Sequence, residues 1–325
     1  MTKAIVVNET GGPDVLSWQD IDVGQPGPTQ VRLRHTAIGL NFIDTYFRSG
    51  LYKAPNGLPF VPGNEGAGVV EAVGSDVTDL AVGDRVAYTG ALGAYAEERL
   101  IEAGQLVKIP DAIPEKTAAA MMLKGMTARY LLRRTYPVTA DTKILFHAAA
   151  GGVGLIAGQW AKHLGATIIG TVGSEEKADI ARANGYTHVI NYRTENFVDR
   201  VKELTDGEGV DVAYDSVGRD TYPGTLDCIR PLGLWAPFGQ SSGPITDFDL
   251  QLLSQKGSLF CTRPTLFTYI AKRADLEETA NDLFDVVASG AVTIQVNQEY
   301  PLQDAARAHS DLENRRTTGT TVLLP

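Results

Sequence analysis

Cysteine is almost missing from this chain: Cys228 and Cys261 are the only two in 325 residues. They stand far apart with no C-x-x-C spacing, which excludes a disulfide framework and a cysteine-based zinc ribbon. Both are expected as buried small hydrophobes. Basic residues are also in short supply, 29 Lys and Arg against 39 Asp and Glu, for a formal net charge of -10. A polyanion is therefore repelled, and no nucleic-acid role is expected. No apolar run approaches the roughly 20 residues that a membrane span needs, and the opening MTKAIVVNETGGP carries none, so a cytoplasmic protein is expected. The five histidines, His35, His147, His163, His188 and His309, show no metal-ligand spacing and read as surface or satisfied core residues.

What is present is an ordinary globular composition, 43% hydrophobic and 21% charged, with Gly 34 for turns and close backbone approaches. The length implies two domains. The first third is β-rich: Lys3 to Val7, Gln30 to Ala37, Ala67 to Val73 and Arg85 to Tyr88 are short β-branched or alternating runs between Gly, Pro and Asp turns. Such spacing predicts a partly open barrel or a sandwich. An alanine-rich segment, Thr117 to Met122, then leads into helical spacing over Gly125 to Arg134, where the hinge is placed. From Thr142 strands and helices alternate, which requires crossover connections and predicts a doubly wound parallel sheet. Its later strands are expected at Leu234 to Phe238 and Ser258 to Cys261. A helix over Leu276 to Ser289, a strand at Val292 to Val296 and a terminal strand at Thr320 to Leu324 return the chain to the first domain. The division is thus 1–124 with 264–325, and 125–263. The stretch Gly239 to Gly257 reads as a mobile loop or an interface segment.

The decisive stretch is Leu145 to Gly165, LFHAAAGGVGLIAGQWAKHLG, where an apolar strand enters Ala148-x-x-Gly151-x-x-Gly154 and then a helix. Val153, Ile156, Ala157, Trp160 and Leu164 place one apolar stripe on the sheet. Gly151 and Gly152 let backbone N–H groups reach a pyrophosphate at the positive helix end, and Gly154 lets helix and strand approach. A glycine triplet alone would be weak evidence; strand before, helix after and repeating units downstream make it a dinucleotide site. The next strand, Ile168-Ile169-Gly170-Thr171-Val172, ends in Gly173 and Ser174 instead of the acidic residue that would hold a free ribose 2′-hydroxyl. Ser174 can donate to a 2′-phosphate and Lys177 can supply charge, which favours NADPH. The alternative is that Glu175 or Glu176 turns inward and selects NADH. Tyr192 could stack beside the adenine or simply pack.

With these residues in hand, the chain resembles the quinone oxidoreductase branch, the zeta-crystallin group, of the medium-chain dehydrogenase/reductase family. The resemblance spans essentially the whole length. It rests on Asn41-Phe42-Ile43-Asp44-Thr45-Tyr46, Pro62-Gly63-Asn64-Glu65-Gly66-Ala67-Gly68, Val73-Gly74, Gly83-Asp84-Arg85-Val86 and the glycine turn, and is strengthened by Tyr214-Asp215-Ser216-Val217-Gly218 and Tyr300-Pro301-Leu302. It implies an α/β fold, a Rossmann domain beside a GroES-like β-rich domain. Zinc-dependent members carry Cys at or beside Asn41 and His at Asn64, and a second set of four close cysteines. This chain has neither, and Glu65 with Asp44 cannot complete a tetrahedral site.

By resemblance, NADPH would lie in the cleft between domains, its 2′-phosphate met by Ser174, Lys177, Tyr192 and Arg315, its pyrophosphate by the glycine turn at Gly151, Gly152 and Gly154. Its nicotinamide end would meet Asn41, Phe42, Tyr46, Thr127, Tyr130 and the turn Phe238, Gly239 and Ser241, and Val153, Gly173 and Ser216 are expected among the cofactor-binding residues. Arg263 could contact the cofactor or pack in its own domain. A quinone needs no Lewis acid to accept a hydride, only rings held at about 3 to 3.5 Å in alignment. Tyr46 or Tyr52 would stabilise the reduced oxygen and Asn41 would orient the substrate or the cofactor amide. Both tyrosines could equally do no more than line the cleft. The rival activity is reduction of a conjugated enal or enone, with Tyr52 or water as proton donor. NADPH-dependent RNA binding or a crystallin-type structural role is the non-enzymatic alternative, against which the acidic balance speaks. A homodimer is expected through the Rossmann edge strand.

Overall fold

The computed structural model describes residues 1–90 and 92–325. It divides into two compact units: Met1–Lys124 with Lys272–Ala288 and Ile294–Pro325, and Gly125–Ala271 with Ser289–Thr293. In chain order the elements are β1 (Thr2–Val7), β2 (Leu16–Ile21), β3 (Gln30–Leu40), α1 (Phe42–Arg48), β4 (Glu65–Val73), β5 (Arg85–Thr89), β6 (Glu98–Glu102), β7 (Val107–Lys108) and α2 (Glu115–Tyr130). There follow β8 (Lys143–His147), α3 (Gly152–His163), β9 (Thr167–Val172), α4 (Glu175–Ala183), β10 (His188–Asn191), α5 (Phe197–Leu204), β11 (Val210–Asp215), β12 (Ile229–Pro237), α6 (Gln251–Gln255) and β13 (Phe260–Cys261). The last are α7 (Leu266–Tyr269), α8 (Arg273–Ala288), β14 (Val296–Pro301), α9 (Ala305–Glu313) and β15 (Thr320–Leu324).

The first unit is built on β3. Its first half alternates, with Val31, Leu33 and His35 buried and Arg32 and Arg34 turned outward, the period of a strand with one face on a core. β3 pairs antiparallel with β4, β6 and β15 in a sheet ordered β14-β15-β3-β4-β5-β7 with β6 attached to β3, while β1 and β2 form a separate hairpin. Ile5, Val31, Leu33, Val70, Val86, Tyr88, Tyr95, Leu106 and Leu323 meet in its core. This is the GroES-like architecture, an open sheet that does not close into a barrel among the described residues.

The second unit is a Rossmann fold: six parallel strands ordered β10-β9-β8-β11-β12-β13. The chain moves outward from β8 to β9 and β10, then returns to β11 on the other side of β8. The C-terminal ends of β8 and β11 therefore flank the topological switch point, where such sheets bind ligands.

Several expectations need correction. Gly125 to Arg134 is not a separate helix; α2 runs unbroken from Glu115 to Tyr130 and ends in a π-helical turn, Leu131–Thr135. The strand expected at Val292 to Val296 begins only at Val296, because Thr293 is engaged by α3: its N–H donates to Gln159 Oε1 and its carbonyl accepts from Gln159 Nε2. The edge strand shrinks to Phe260–Cys261, since Ser258 has a left-handed φ of 57°. Cys261 is exposed on that edge, and only Cys228 is buried. The stretch Gly239 to Gly257 contains the short helix α6.

Candidate active site

The glycine turn of the second unit has the shape of a pyrophosphate cradle. β8 ends at His147, Ala148 takes a left-handed φ of 58°, and its carbonyl accepts the Gly151 N–H at 2.9 Å before α3 begins. A non-glycine residue in that region is strained and persists where the surroundings over-determine it, often at ligand sites. Gly151 is the N-cap of α3 and no side chain caps the helix, so its first N–H groups are left for an anion. A Cβ on Gly154 would lie 2.6 Å from the carbonyl oxygens of both Ala148 and Ala149, which is why helix and strand can be this close only with glycine there.

The neighbouring strand ends bring other expected residues to the same edge of the sheet. Beyond β9, Tyr192 donates its N–H to the Val172 carbonyl, and its hydroxyl lies 2.6 Å from where a Cβ on Gly173 would stand. Tyr192 is 43% exposed, a ring laid open over Gly173. Ser174 caps α4, its Oγ accepting the Lys177 N–H at 3.3 Å, so its own hydroxyl hydrogen remains for a ligand. Beyond β11 and β12, Asp215 shapes a double turn. Its Oδ1 accepts from Val217 and Gly218, its carbonyl accepts from Phe238 and Gly239, and Ser216 accepts the Ser241 N–H. Ser216, Phe238, Gly239 and Ser241 are thus one cluster.

Three other expected residues, Thr127, Tyr130 and Arg263, also lie in this unit. Tyr130 is 1% exposed and stacks on Tyr269 at 4.5 Å, and Thr127 is buried beside it on α2. Burial drives the Tyr130 phenol well above its usual range. Arg263 donates to the Pro237 carbonyl at 2.9 Å, the packing alternative, and extends from an exposed position.

In the first unit, α1 gathers Asn41, Phe42 and Tyr46, and Tyr52 folds back onto it. The Tyr52 N–H donates to the Tyr46 carbonyl, and the two rings meet edge to face at 5.2 Å. All three aromatic rings are half-buried. Arg315 lies in this unit just past α9, with a left-handed φ of 59°.

Asn41 is not turned outward. It is 5% exposed, and its Nδ2 donates to Glu65 Oε2 at 2.7 Å. Glu65, fully buried at the head of β4, also receives the Lys124 ammonium at 3.2 Å and the Leu123 N–H at 2.7 Å. Lys124 Nζ donates in addition to the Leu40 carbonyl at 3.1 Å. On the other side, the Asn41 N–H donates to Asp44 Oδ2 at 2.9 Å, and Asn64 Nδ2 donates to Asp44 Oδ1 at 2.8 Å. Asp44 is fully buried, and desolvation raises its carboxyl to about 6 against the opposing hydrogen bonds from Asn64, Asn41 and Tyr95. Glu65, Lys124, Asp44 and Tyr95 were not foreseen as site residues. A usable signal existed: Glu65 and Lys124 are lone opposite charges in runs of small and apolar residues, GNEGAG and AAAMMLKGM.

Comparison with known proteins agrees with this architecture. The Alcohol dehydrogenase GroES-like domain family matches residues 27–111, and the Zinc-binding dehydrogenase family matches residues 152–285. A quinone oxidoreductase of Pseudomonas aeruginosa is 56% identical over 100% of both chains. The Escherichia coli quinone oxidoreductase solved in complex with NADPH superposes with a TM-score of 0.97 at 50% identity, covering 99% of this chain and 100% of that one. A 2-haloacrylate reductase from a Burkholderia species is 48% identical over 100% of this chain and 99% of its own. The chain belongs to the quinone oxidoreductase branch of the medium-chain dehydrogenase/reductase family.

Proposed function

We propose that this protein is an NADPH-dependent quinone oxidoreductase that works without a metal ion. Most weight falls on the full-length agreement with a quinone oxidoreductase solved with NADPH, joined to an uncapped α3 behind a glycine turn at the switch point. When bound, NADPH supplies the hydride. The chain's own residues then have distinct tasks. Gly151 to Gly154 offer N–H groups and the α3 dipole to the pyrophosphate. Ser174 and Lys177 take the 2′-phosphate, and Tyr192 offers a face for the adenine. Ser216 and the Phe238 to Ser241 turn line the nicotinamide end, and Tyr46 and Tyr52 present hydroxyls toward a quinone oxygen as it gains charge.

Zinc does not fit the residues present. Two amides, Asn41 and Asn64, stand at or beside the family's ligand positions, and both donate into carboxylates that also accept from Lys124, from Tyr95 and from the Leu123 and Asn41 N–H groups. Among the described residues no group of three or more His, Cys, Asp or Glu is arranged to hold a metal ion.

A titration of NADPH and NADH against the wild type and Lys177→Glu, followed by 1,4-benzoquinone and an acyclic enone as substrates, tests this function. Preference for NADH by the wild type, or turnover of the enone alone, would overturn it. The second activity, reduction of a conjugated double bond, is favoured by the similarity to a 2-haloacrylate reductase, and the same substrate pair decides it. A homodimer through β13 is proposed because Phe260, on this edge strand, is 63% exposed, and Leu232, on the adjoining β12, is 62% exposed. A monomeric mass in light scattering would reject it. Two unpaired cysteines suit a reducing cytoplasm.

A further inference from the structure

α1 has seven residues, too few to hold a helix in place by its own hydrogen bonds, so its position must be set by its neighbours. Its last residue, Arg48, is a 3% exposed guanidinium. Arg48 grips the solvent-exposed Glu313 through Nη1 at 3.0 Å and Nη2 at 2.7 Å, and its Nε donates to the Gly11 carbonyl at 3.1 Å. Nη1 also faces His309 Nδ1 at 3.2 Å. His309, from α9, has its Nε2 2.9 Å from the Tyr95 hydroxyl, and that hydroxyl is 3.0 Å from Asp44 Oδ2. His309, Tyr95 and Asp44 are each fully buried.

The direction of this chain follows from its two ends. A guanidinium can only donate and an ionised carboxylate can only accept. His309 Nδ1 must therefore accept from Arg48, which leaves the single proton of a neutral ring on Nε2. That N–H donates to the tyrosine oxygen, and the tyrosine's one hydrogen goes to Asp44. Burial and the Arg48 charge depress the His309 pKa to about 3, in keeping with a neutral ring. Asp44 then returns to α1, accepting the Asn41 N–H and the Asn64 amide. The relay therefore joins the last residue of α1 to its first turn by a path through α9. Tyr46 lies between Asp44 and Arg48, and Phe42 lies between Asp44 and Asn41, whose N–H Asp44 accepts.

We propose that His309 is a positioning residue of the reaction: as a neutral Nε2–H imidazole it couples Arg48 to Asp44 and so fixes the helix that presents Phe42 and Tyr46. The catalytic part of this rests on the assignment of Phe42 and Tyr46 to substrate and cofactor; the tautomer does not.

Two variants separate geometry from bulk. Glutamine in His309→Gln can accept from Arg48 through Oε1 and donate to Tyr95 through Nε2, keeping the direction of the relay. Leucine in His309→Leu fills the space and passes nothing. With 1,4-benzoquinone, His309→Leu is expected to lose ~10- to 100-fold in kcat/KM, the size of effect produced by misplacing a reacting group, while His309→Gln stays within about threefold of wild type. Equal losses in both variants, or no loss in either, would overturn the positioning role. NMR of wild-type protein carrying 15N-histidine gives a second readout that needs no turnover. The ring whose signals vanish in His309→Gln should stay neutral and protonated on Nε2 from pH 5.5 to 8.5. If that ring titrates in this interval or carries its proton on Nδ1, the relay is refuted. Binding of 2′,5′-ADP to the wild type is measured alongside: its absence would count against the cofactor assignment and leave the NMR result standing on its own.

Discussion

Changing Glu65 to glutamine should be one of the most damaging single substitutions in the first unit, although it alters only one oxygen. Glu65 is fully buried, and the Lys124 side chain is 7% exposed. Three donors converge on its two oxygens: the Leu123 N–H at 2.7 Å, Asn41 Nδ2 at 2.7 Å and Lys124 Nζ at 3.2 Å. A glutamine in either flip offers one acceptor and turns an NH2 group toward at least one of these donors. In either flip it also removes the negative charge that faces the ammonium, whose other acceptor is the neutral Leu40 carbonyl. Removing one member of a buried pair leaves an uncompensated charge and costs roughly 3–5 kcal/mol. Urea unfolding of the wild type, Glu65→Gln, Lys124→Met and the double variant measures both the loss and its origin. If the charge is the cause, the double variant should be more stable than the sum of the two single losses allows, with a coupling on the order of 0.5–3 kcal/mol. A loss in Glu65→Gln below about 1 kcal/mol, or strict additivity in the double variant, would refute this account of the pair.

Three further outcomes follow from the same geometry. Gly154→Ala places a Cβ 2.6 Å from two backbone oxygens, so α3 must shift; NADPH binding followed by fluorescence should weaken by ~10-fold or more, and unchanged affinity would argue against the cradle. If a tyrosine hydroxyl stabilises the reduced oxygen, either Tyr46→Phe or Tyr52→Phe should lower kcat for benzoquinone by about 10-fold or more, whereas losses under twofold in both would leave them as lining residues. Acid should destabilise the fold below about pH 6.5. His35 and His309 fall to about 3 when folded from an unfolded value of 6.5, so between these limits the unfolded chain binds more protons and each histidine's contribution is lost as pH falls. Asp44, raised to about 6 from 3.8, has the opposite sign: its folded form binds the extra proton, which stabilises below pH 6. At about 1.4 kcal/mol per pH unit for each group, two histidines outweigh one aspartate, and a urea midpoint that rose from pH 7 to pH 5 would contradict the assignment.

Much of the second unit was legible because its signals are local. A glycine turn needs particular backbone angles and close approaches within a few residues, and these leave fixed spacings in the sequence. Strand and helix periods are likewise short-range properties, so β8, α3, β9 and the following alternation could be read directly. The errors fall where a distant contact overrides the local pattern. Val292 and Thr293 have the β-branched character of a strand, yet Gln159, 134 residues away, takes Thr293 at both its N–H and its carbonyl. Ser258 looks extended by composition and is bent by its left-handed backbone. Helices α1 and α9 are too short for an apolar stripe to stand out from their surroundings.

Asn41 shows the same limit at the candidate site. An amide next to aromatic residues suggests a polar group aimed at a ligand. The structure turns it inward, because Glu65 and Asp44 converge there from 24 and 3 residues away and take both its side-chain and its backbone donor. Nothing in the local sequence reveals that meeting, since it depends on β4 pairing with β3 so that the head of β4 lies beside the start of α1. The consequence is a division of labour within one loop. Asn41, Asp44 and Arg48, at helical spacings that bring them to one side, are engaged in holding α1, while Phe42 and Tyr46 are half-buried. A metal-binding loop would spend its inward positions on the ion. Here the inward positions are occupied by donors and acceptors that satisfy one another, together with two buried cations, Lys124 and Arg48.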